Sequence, residues 1–243
     1  MSVLIFIDQS EGHVKKSSLE ALTYGADVAK QLGTTAEAIV LGTVSEDLAA
    51  LGKYGVSKIH QVSNAALNNV DAQVYASVIS ESATACGASV IVFSHNQTGK
   101  AVAARVAAKL KAGLVAGACA LPDTSNGFSV KKTVFSGKAY AHVNILSAVK
   151  VISLNPNSYK TVATEGTAAV EALAVTVNEP KVKISAVNKI TGEVPLTEAD
   201  IVVSGGRGLK GPEHWGILLD LAKELGAATA CSRPVGDAHW RPH

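Results

Sequence analysis

Apolar residues in this chain follow two alternating rhythms. The runs at 2–7 (SVLIFI), 36–41 (AEAIVL) and 89–94 (SVIVFS) are short and nearly continuous, the pattern of strands buried on both faces of a parallel sheet. Between them the period lengthens. In 17–32, Leu19, Leu22, Ala26, Ala29 and Leu32 recur at helical spacing, and Gly33 stops the run. The same reading predicts a short helix over 46–53 ended at Gly55, a strand over 58–62 (KIHQV) and a helix over 70–86. Helix and strand signals that alternate from the start predict a doubly wound α/β layout.

The alternation continues with a helix over 101–111 and then fails. Residues 113–121 are apolar and fit either a strand or a tight helix, while 128–134, 138–147 and 149–154 read as successive strands. A three-layer α/β domain is therefore expected, with a mostly parallel sheet and a late antiparallel portion. Residues 162–174 are rich in alanine and interrupted by Gly166 and Thr167. The stretch 175–187 looks extended, with Pro180 at a turn or an edge. A linker with a turn at Gly192 is predicted over 188–199, which places a boundary near 189–197 and divides the chain into 1–190 and 191–243. The second unit offers a strand at 201–204, a helix at 215–226 and a strand at 227–230. So few elements cannot bury both faces of a parallel sheet, and the expectation is an incomplete second α/β domain. It would continue beyond these residues, pack on the first domain or stay loosely folded.

Composition narrows the function. A net charge of +2 gives no electrostatic case for nucleic acid, and 5% aromatics leave few stacking platforms for bases. Cys86, Cys119 and Cys231 are odd in number and far apart, with no CxxC and no zinc spacing. They read as free thiols in a reducing compartment. Seven scattered histidines suggest no metal centre; His239 and His243 make at most a weak adventitious pair. His60, alternating with Ile59 and Val62, reads as structural or surface, as do Tyr140 and His142 on one strand face. No signal peptide and no membrane span are read. The default is a cytoplasmic protein, or a matrix protein if the source is eukaryotic.

Few side chains point to chemistry. Asp8 follows the first strand, where α/β folds place ligands. It could accept from a ribose or an amide, or simply cap a turn or face solvent. Residues 95–100 (HNQTGK) form a polar loop after a strand and end like a phosphate loop, but lack its first glycine. Arg105 and Lys109, four apart, fit a basic patch or a solvated helix face. The most informative stretch is 201–210, IVVSGGRGLK. An apolar run turns through Gly205 and Gly206 to Arg207 ahead of a helical segment, an arrangement that leaves backbone N–H groups for an anion. Arg207 adds a bidentate donor. An ordinary βα turn is the other reading, because neither glycine-rich nucleotide fingerprint is complete. No acid–base constellation stands out.

SGGRG at 204–208, the helix at 215–226, the pair Ser232–Arg233, and Asp237 before Trp240 together resemble the alpha subunit of electron transfer flavoprotein. Gly99–Lys100 with ARVAAKL at 104–110, and VFSGKA at 134–139, are similar to that family's first domain, though Ala104 stands where the family usually has proline. The resemblance implies a nucleotide alpha-hydrolase-like first domain and a heterodimer carrying one FAD, mostly in the alpha C-terminal domain. It also implies AMP in the beta subunit. Electrons would come from flavin dehydrogenases such as acyl-CoA dehydrogenases and pass to a quinone oxidoreductase or another acceptor. Carried over by position, Arg207, Ser232 and Arg233 would touch the cofactor, with Gly205 and Gly206 shaping the turn. The family continues with a GQTGK flavin loop and a GISGAIQH segment, neither of which these 243 residues contain. The chain by itself is therefore expected to hold FAD weakly or not at all, as the start of a flavin domain. A flavin-free scaffold or nucleotide-binding stress-type domain that mediates subunit association is the alternative.

Overall fold

The computed structural model describes residues 1–186, 196 and 199–241. Two compact units are formed by Met1–Lys183 and Ile184–His243. The boundary expected at 189–197 lies, but for Leu196, outside the described residues.

The first unit begins with β1 (Ser2–Ile7), a small antiparallel pair β2 (Gln9–Ser10) and β3 (His13–Val14), and α1 (Lys16–Gln31). Next come β4 (Thr35–Leu41), β5 (Lys58–Val62), α2 (Ala72–Ala85), β6 (Ala88–Ser94) and α3 (Gln97–Leu110). The unit closes with β7 (Gly113–Ala118), β8 (Ser129–Val134), β9 (Ala139–Asn144), β10 (Lys150–Leu154) and β11 (Ala169–Ala172). Among the described residues these make a nine-stranded sheet in the order β11-β5-β4-β1-β6-β10-β7-β8-β9. It is parallel from β11 to β7 and antiparallel at β8 and β9. The mostly parallel sheet with a late antiparallel edge is the fold its sequence predicts.

Strand alternation builds three layers. Val3, Ile5 and Ile7 of β1 pack with Leu22, Tyr24 and Val28 of α1. Leu4 and Phe6 face the opposite way, onto Val74 and Ile79 of α2 and Val102 and Val106 of α3. All six residues of β1 are buried, and each large apolar one contributes about 1.5–3 kcal/mol. Gly25 lets α1 lie directly on the sheet, since a Cβ there would collide with Ile5.

Several details depart from the sequence reading. The helix expected over 46–53 is a 3-10 helix, Ala49–Tyr54, ended by Gly55 at φ 92°. The polar stretch 95–100 is mostly the first turn of α3: Asn96 is the N-cap, and its Oδ1 accepts from Gly99 N at 2.9 Å. The phosphate-loop likeness thus belongs to a capped helix. No strand forms over the described part of 175–187. The sheet edge beside β5 is already taken by β11, which arises from the alanine-rich stretch before it. Past β11, Leu173, Val175 and Val177 pack against the α2–α3 side of the core, and Thr176 N donates to Glu81 Oε1.

The second unit contains β12 (Val202–Gly205), 3-10 turns at Arg207–Leu209 and Pro212–His214, α4 (Gly216–Glu224), β13 (Ala228–Cys231) and α5 (Arg233–Asp237). β12 and β13 pair in parallel, so this is one βαβ crossover followed by a short helix that the sequence reading omits. Trp215, Leu218 and Val235 form its core, with Val203, Leu209, Cys231 and Trp240 against them. Ile217, Leu221 and Leu225 of the α4 region are 74%, 51% and 47% exposed, the apolar side that this strand pair leaves uncovered.

Candidate functional site

The register of β12 and β13 assembles the site. Val202 pairs with Ala228 and Gly205 with Cys231, so both strands end at the same level. The chain leaves β12 through Gly206 and Arg207, and leaves β13 through Ser232 and Arg233. A bond from Ser232 N to Gly205 O, 3.0 Å, ties the two exits together. All five residues singled out from the sequence (Gly205, Gly206, Arg207, Ser232 and Arg233) thus meet at the carboxyl ends of two adjacent parallel strands. That is where α/β sheets bind ligands.

The two glycines have different work. Gly205 is buried, and a Cβ there would stand 2.7 Å from the Trp215 ring and 2.8 Å from side-chain carbons of Leu209 and Leu218. Its bareness lets the indole and α4 close on the strand. Gly206 is extended, at φ −125° and ψ −174°. A Cβ there would meet only Ser232 Oγ, at 3.7 Å, so it would project into the open gap between the two exits. The bare backbone lets a ligand come close.

Charge at the turn is positive and accessible. Arg207 is exposed and makes no ion pair among the described residues. The salt bridge from Arg233 to Asp237 that the sequence allows is present, at 3.7 Å through Nε, but the two side chains are 89% and 56% exposed. Such a contact holds little energy. Two guanidinium groups, a hydroxyl and an open glycine backbone on adjacent strand ends suit a multiply charged anion such as a pyrophosphate. The donors present fit that part of FAD.

The other candidates are brought elsewhere. Asp8 neither caps a turn by its side chain nor faces solvent. It is buried, and Oδ2 accepts from Lys15 Nζ and Asn96 Nδ2, both at 2.8 Å. Asn96 also reaches Ser17 Oγ at 3.2 Å. The crevice between β1 and β6, where the sheet order reverses, is therefore occupied by the protein's own polar groups. His95 Nδ1 lies 2.8 Å from Ser153 Oγ, and burial, aided by Lys100 and Lys132, pushes its pKa down. Arg105 and Lys109 are exposed on α3, beside a cleft of about 590 Å³ that Asp71, Glu179 and Lys181 also line. With both signs present, this is no dedicated cation or anion site. Sequence reasoning missed the Asp8–Lys15–Asn96 lock, because no local pattern joins residues so far apart in the chain.

Residues 3–179 match the electron transfer flavoprotein domain, and residues 195–243 match the electron transfer flavoprotein FAD-binding domain. The chain belongs to the electron transfer flavoprotein family. The electron transfer flavoprotein subunit alpha of Syntrophomonas wolfei is 31% identical over 243 residues, which cover 98% of this chain and 75% of that one. The subunit alpha of Thermoanaerobacterium thermosaccharolyticum is 29% identical over 246 residues, 98% of this chain and 74% of that one. A probable mitochondrial subunit alpha of Cryptococcus neoformans is 31% identical over 249 residues, covering 99% and 70%. The glycine–arginine turn lies inside the electron transfer flavoprotein FAD-binding match. Among the described residues no helix is long and apolar enough to cross a membrane.

Proposed function

We propose that this chain is the alpha subunit of an electron transfer flavoprotein, and that the paired turns at Gly205–Arg207 and Ser232–Arg233 hold part of its FAD. The observation that carries the proposal is the common level at which β12 and β13 end, since it joins two motifs far apart in sequence into one cationic turn. Arg207 pairs with phosphate oxygens, and Ser232 Oγ donates to an oxygen of the ligand. Arg233 sets a positive charge nearby, which favours an anionic reduced cofactor over a neutral oxidised one. Bound FAD supplies the electron chemistry. The protein's own groups bind, orient and tune it.

The partner in this reading is a beta subunit that carries AMP. Flavin dehydrogenases such as acyl-CoA dehydrogenases are the donors, a quinone oxidoreductase is the acceptor, and the setting is the cytoplasm or the mitochondrial matrix. Phe135 and Tyr140, 81% and 59% exposed at the turn joining β8 to β9, offer an apolar surface for that partner. In the competing reading, a flavin-free scaffold or a nucleotide-binding stress-type domain, the nucleotide-binding form needs an open crevice at β1 and β6. Asp8, Lys15 and Asn96 fill that place.

Co-expression with a beta subunit of the family tests the proposal. A heterodimer whose alpha chain also carries the family's GQTGK and GISGAIQH segments is expected to purify with FAD that an acyl-CoA dehydrogenase and its substrate reduce, read as loss of the flavin's visible absorption, whereas residues 1–243 alone are expected to hold FAD weakly or not at all. A stable heterodimer without FAD, or with FAD that no flavin dehydrogenase reduces, would contradict it.

A further inference from the structure

At the edge of the sheet opposite the strand ends used by α/β ligands, three chemically different donors converge. Glu37 lies near the start of β4, His60 lies on β5, and Cys86 is the C-cap of α2. In the β4–β5 register Ile39 stands opposite His60 and Glu37 opposite Lys58, so Glu37 and His60 are diagonal neighbours. Ile39 and Val62, which alternate with them in step, belong to the core cluster that includes α2. The carboxylate and the imidazole therefore share the face that α2 covers, and Cys86 closes over them where that helix ends.

The donor atoms of Glu37, His60 and Cys86 all lie within 4.8 Å of one another. His60 Nε2 donates to Glu37 Oε2 at 2.7 Å, and their side chains are only 9% and 18% exposed. Thiolate, imidazole and carboxylate are each zinc ligands. We infer that Glu37, His60 and Cys86 form a binding site for a divalent transition metal of the zinc type, with the fourth position left to water. Ligands around tetrahedral zinc stand roughly 3.3–3.8 Å apart, given bond lengths near 2.0–2.3 Å. The Glu37–His60 pair, at 2.7 Å, needs to open by about 0.6 Å, and a separation at the 4.8 Å limit needs to close by about 1.0–1.5 Å, shifts within reach of side-chain rotation.

The charges fit. One thiolate and one carboxylate neutralise a divalent ion. Lys58, the nearby cation, is held by Glu171 at 3.0 Å on the neighbouring strand β11, which offsets its repulsion. A bound ion would pin the end of α2 to β4 and β5. Its distance along the chain from the flavin-binding match makes the site independent of the FAD reading. Its sequence signature is invisible because the ligands come from three separate elements.

The test uses the full chain stripped with a chelator and titrated with Co²⁺, which reports thiolate ligation, and then with Zn²⁺. One equivalent of Co²⁺ is expected to raise a sulfur-to-cobalt charge-transfer band that Zn²⁺ abolishes. Cys86→Ser should remove the band, and Glu37→Gln or His60→Gln should weaken binding at least about tenfold. Cys119→Ser and Cys231→Ser should leave it intact. A second measurement needs no variant: Zn²⁺ should slow alkylation of Cys86, read by peptide mass spectrometry, and spare the rates at Cys119 and Cys231. A band that survives Cys86→Ser, or no band together with unprotected Cys86, overturns the site.

Discussion

Asp8 and His95 sit at neighbouring strand ends, and both are spent on the protein's own architecture. Asp8 is 2% exposed and answers to Lys15 and Asn96, so a ligand would have to displace bonds already made. His95 carries a testable consequence. Burial, with Lys100 and Lys132 nearby, lowers its pKa in the folded chain below the ordinary 6.5. The folded state thus prefers neutral imidazole, and the unfolded state binds the extra proton first. This contribution is fully present above about pH 6.5 and is lost as pH falls through the folded value. Urea unfolding at pH 7.5 and pH 5 should show wild type losing more stability over that interval than His95→Gln. Equal losses would contradict the assignment. The position of both residues after a strand was legible in the sequence. Their partners were not, since Lys15 and Ser153 reach them only through tertiary folding.

At the scale of elements, what was legible follows from burial. β1, β4 and β6 are apolar on both faces and stand out as runs, whereas β11, at the sheet edge, is exposed and hides among alanines. The stretch 175–187 shows the opposite error. Val175 and Val177 pack on the α2–α3 side of the core while Val182 and Ile184 are exposed, and periodicity cannot say which surface a residue will cover. The SGGRG turn was legible as a candidate, but the separate work of its glycines was not. Gly205 faces Trp215, Leu209 and Leu218 within 2.8 Å of where a Cβ would stand, while Gly206 meets only Ser232 Oγ. Gly205→Ala should therefore cost about 1–3 kcal/mol of stability in the second unit. Gly206→Ala should leave stability nearly unchanged and weaken FAD binding in the heterodimer. Thermal unfolding and flavin titration of both variants separate the two roles; equal melting with equal flavin affinity would refute the distinction.

For the whole molecule, the proposed flavin-binding turn rests on one parallel strand pair. The first unit supplies a large three-layer scaffold whose switch-point crevice is filled, and the second presents an open cationic turn. Arg207 is the group at that turn with the fewest ties to the protein, since Arg233 is shared with Asp237. A charge-assisted bond to phosphate is worth roughly 1.5–3 kcal/mol, and 1.4 kcal/mol corresponds to about a factor of ten in affinity. The deciding measurement is FAD titration of the apo-heterodimer, comparing wild type with Arg207→Ala and using Arg105→Ala as a control for charge elsewhere. The account predicts FAD affinity at least about tenfold weaker for Arg207→Ala and unchanged for Arg105→Ala. Identical affinities for wild type and Arg207→Ala would contradict it.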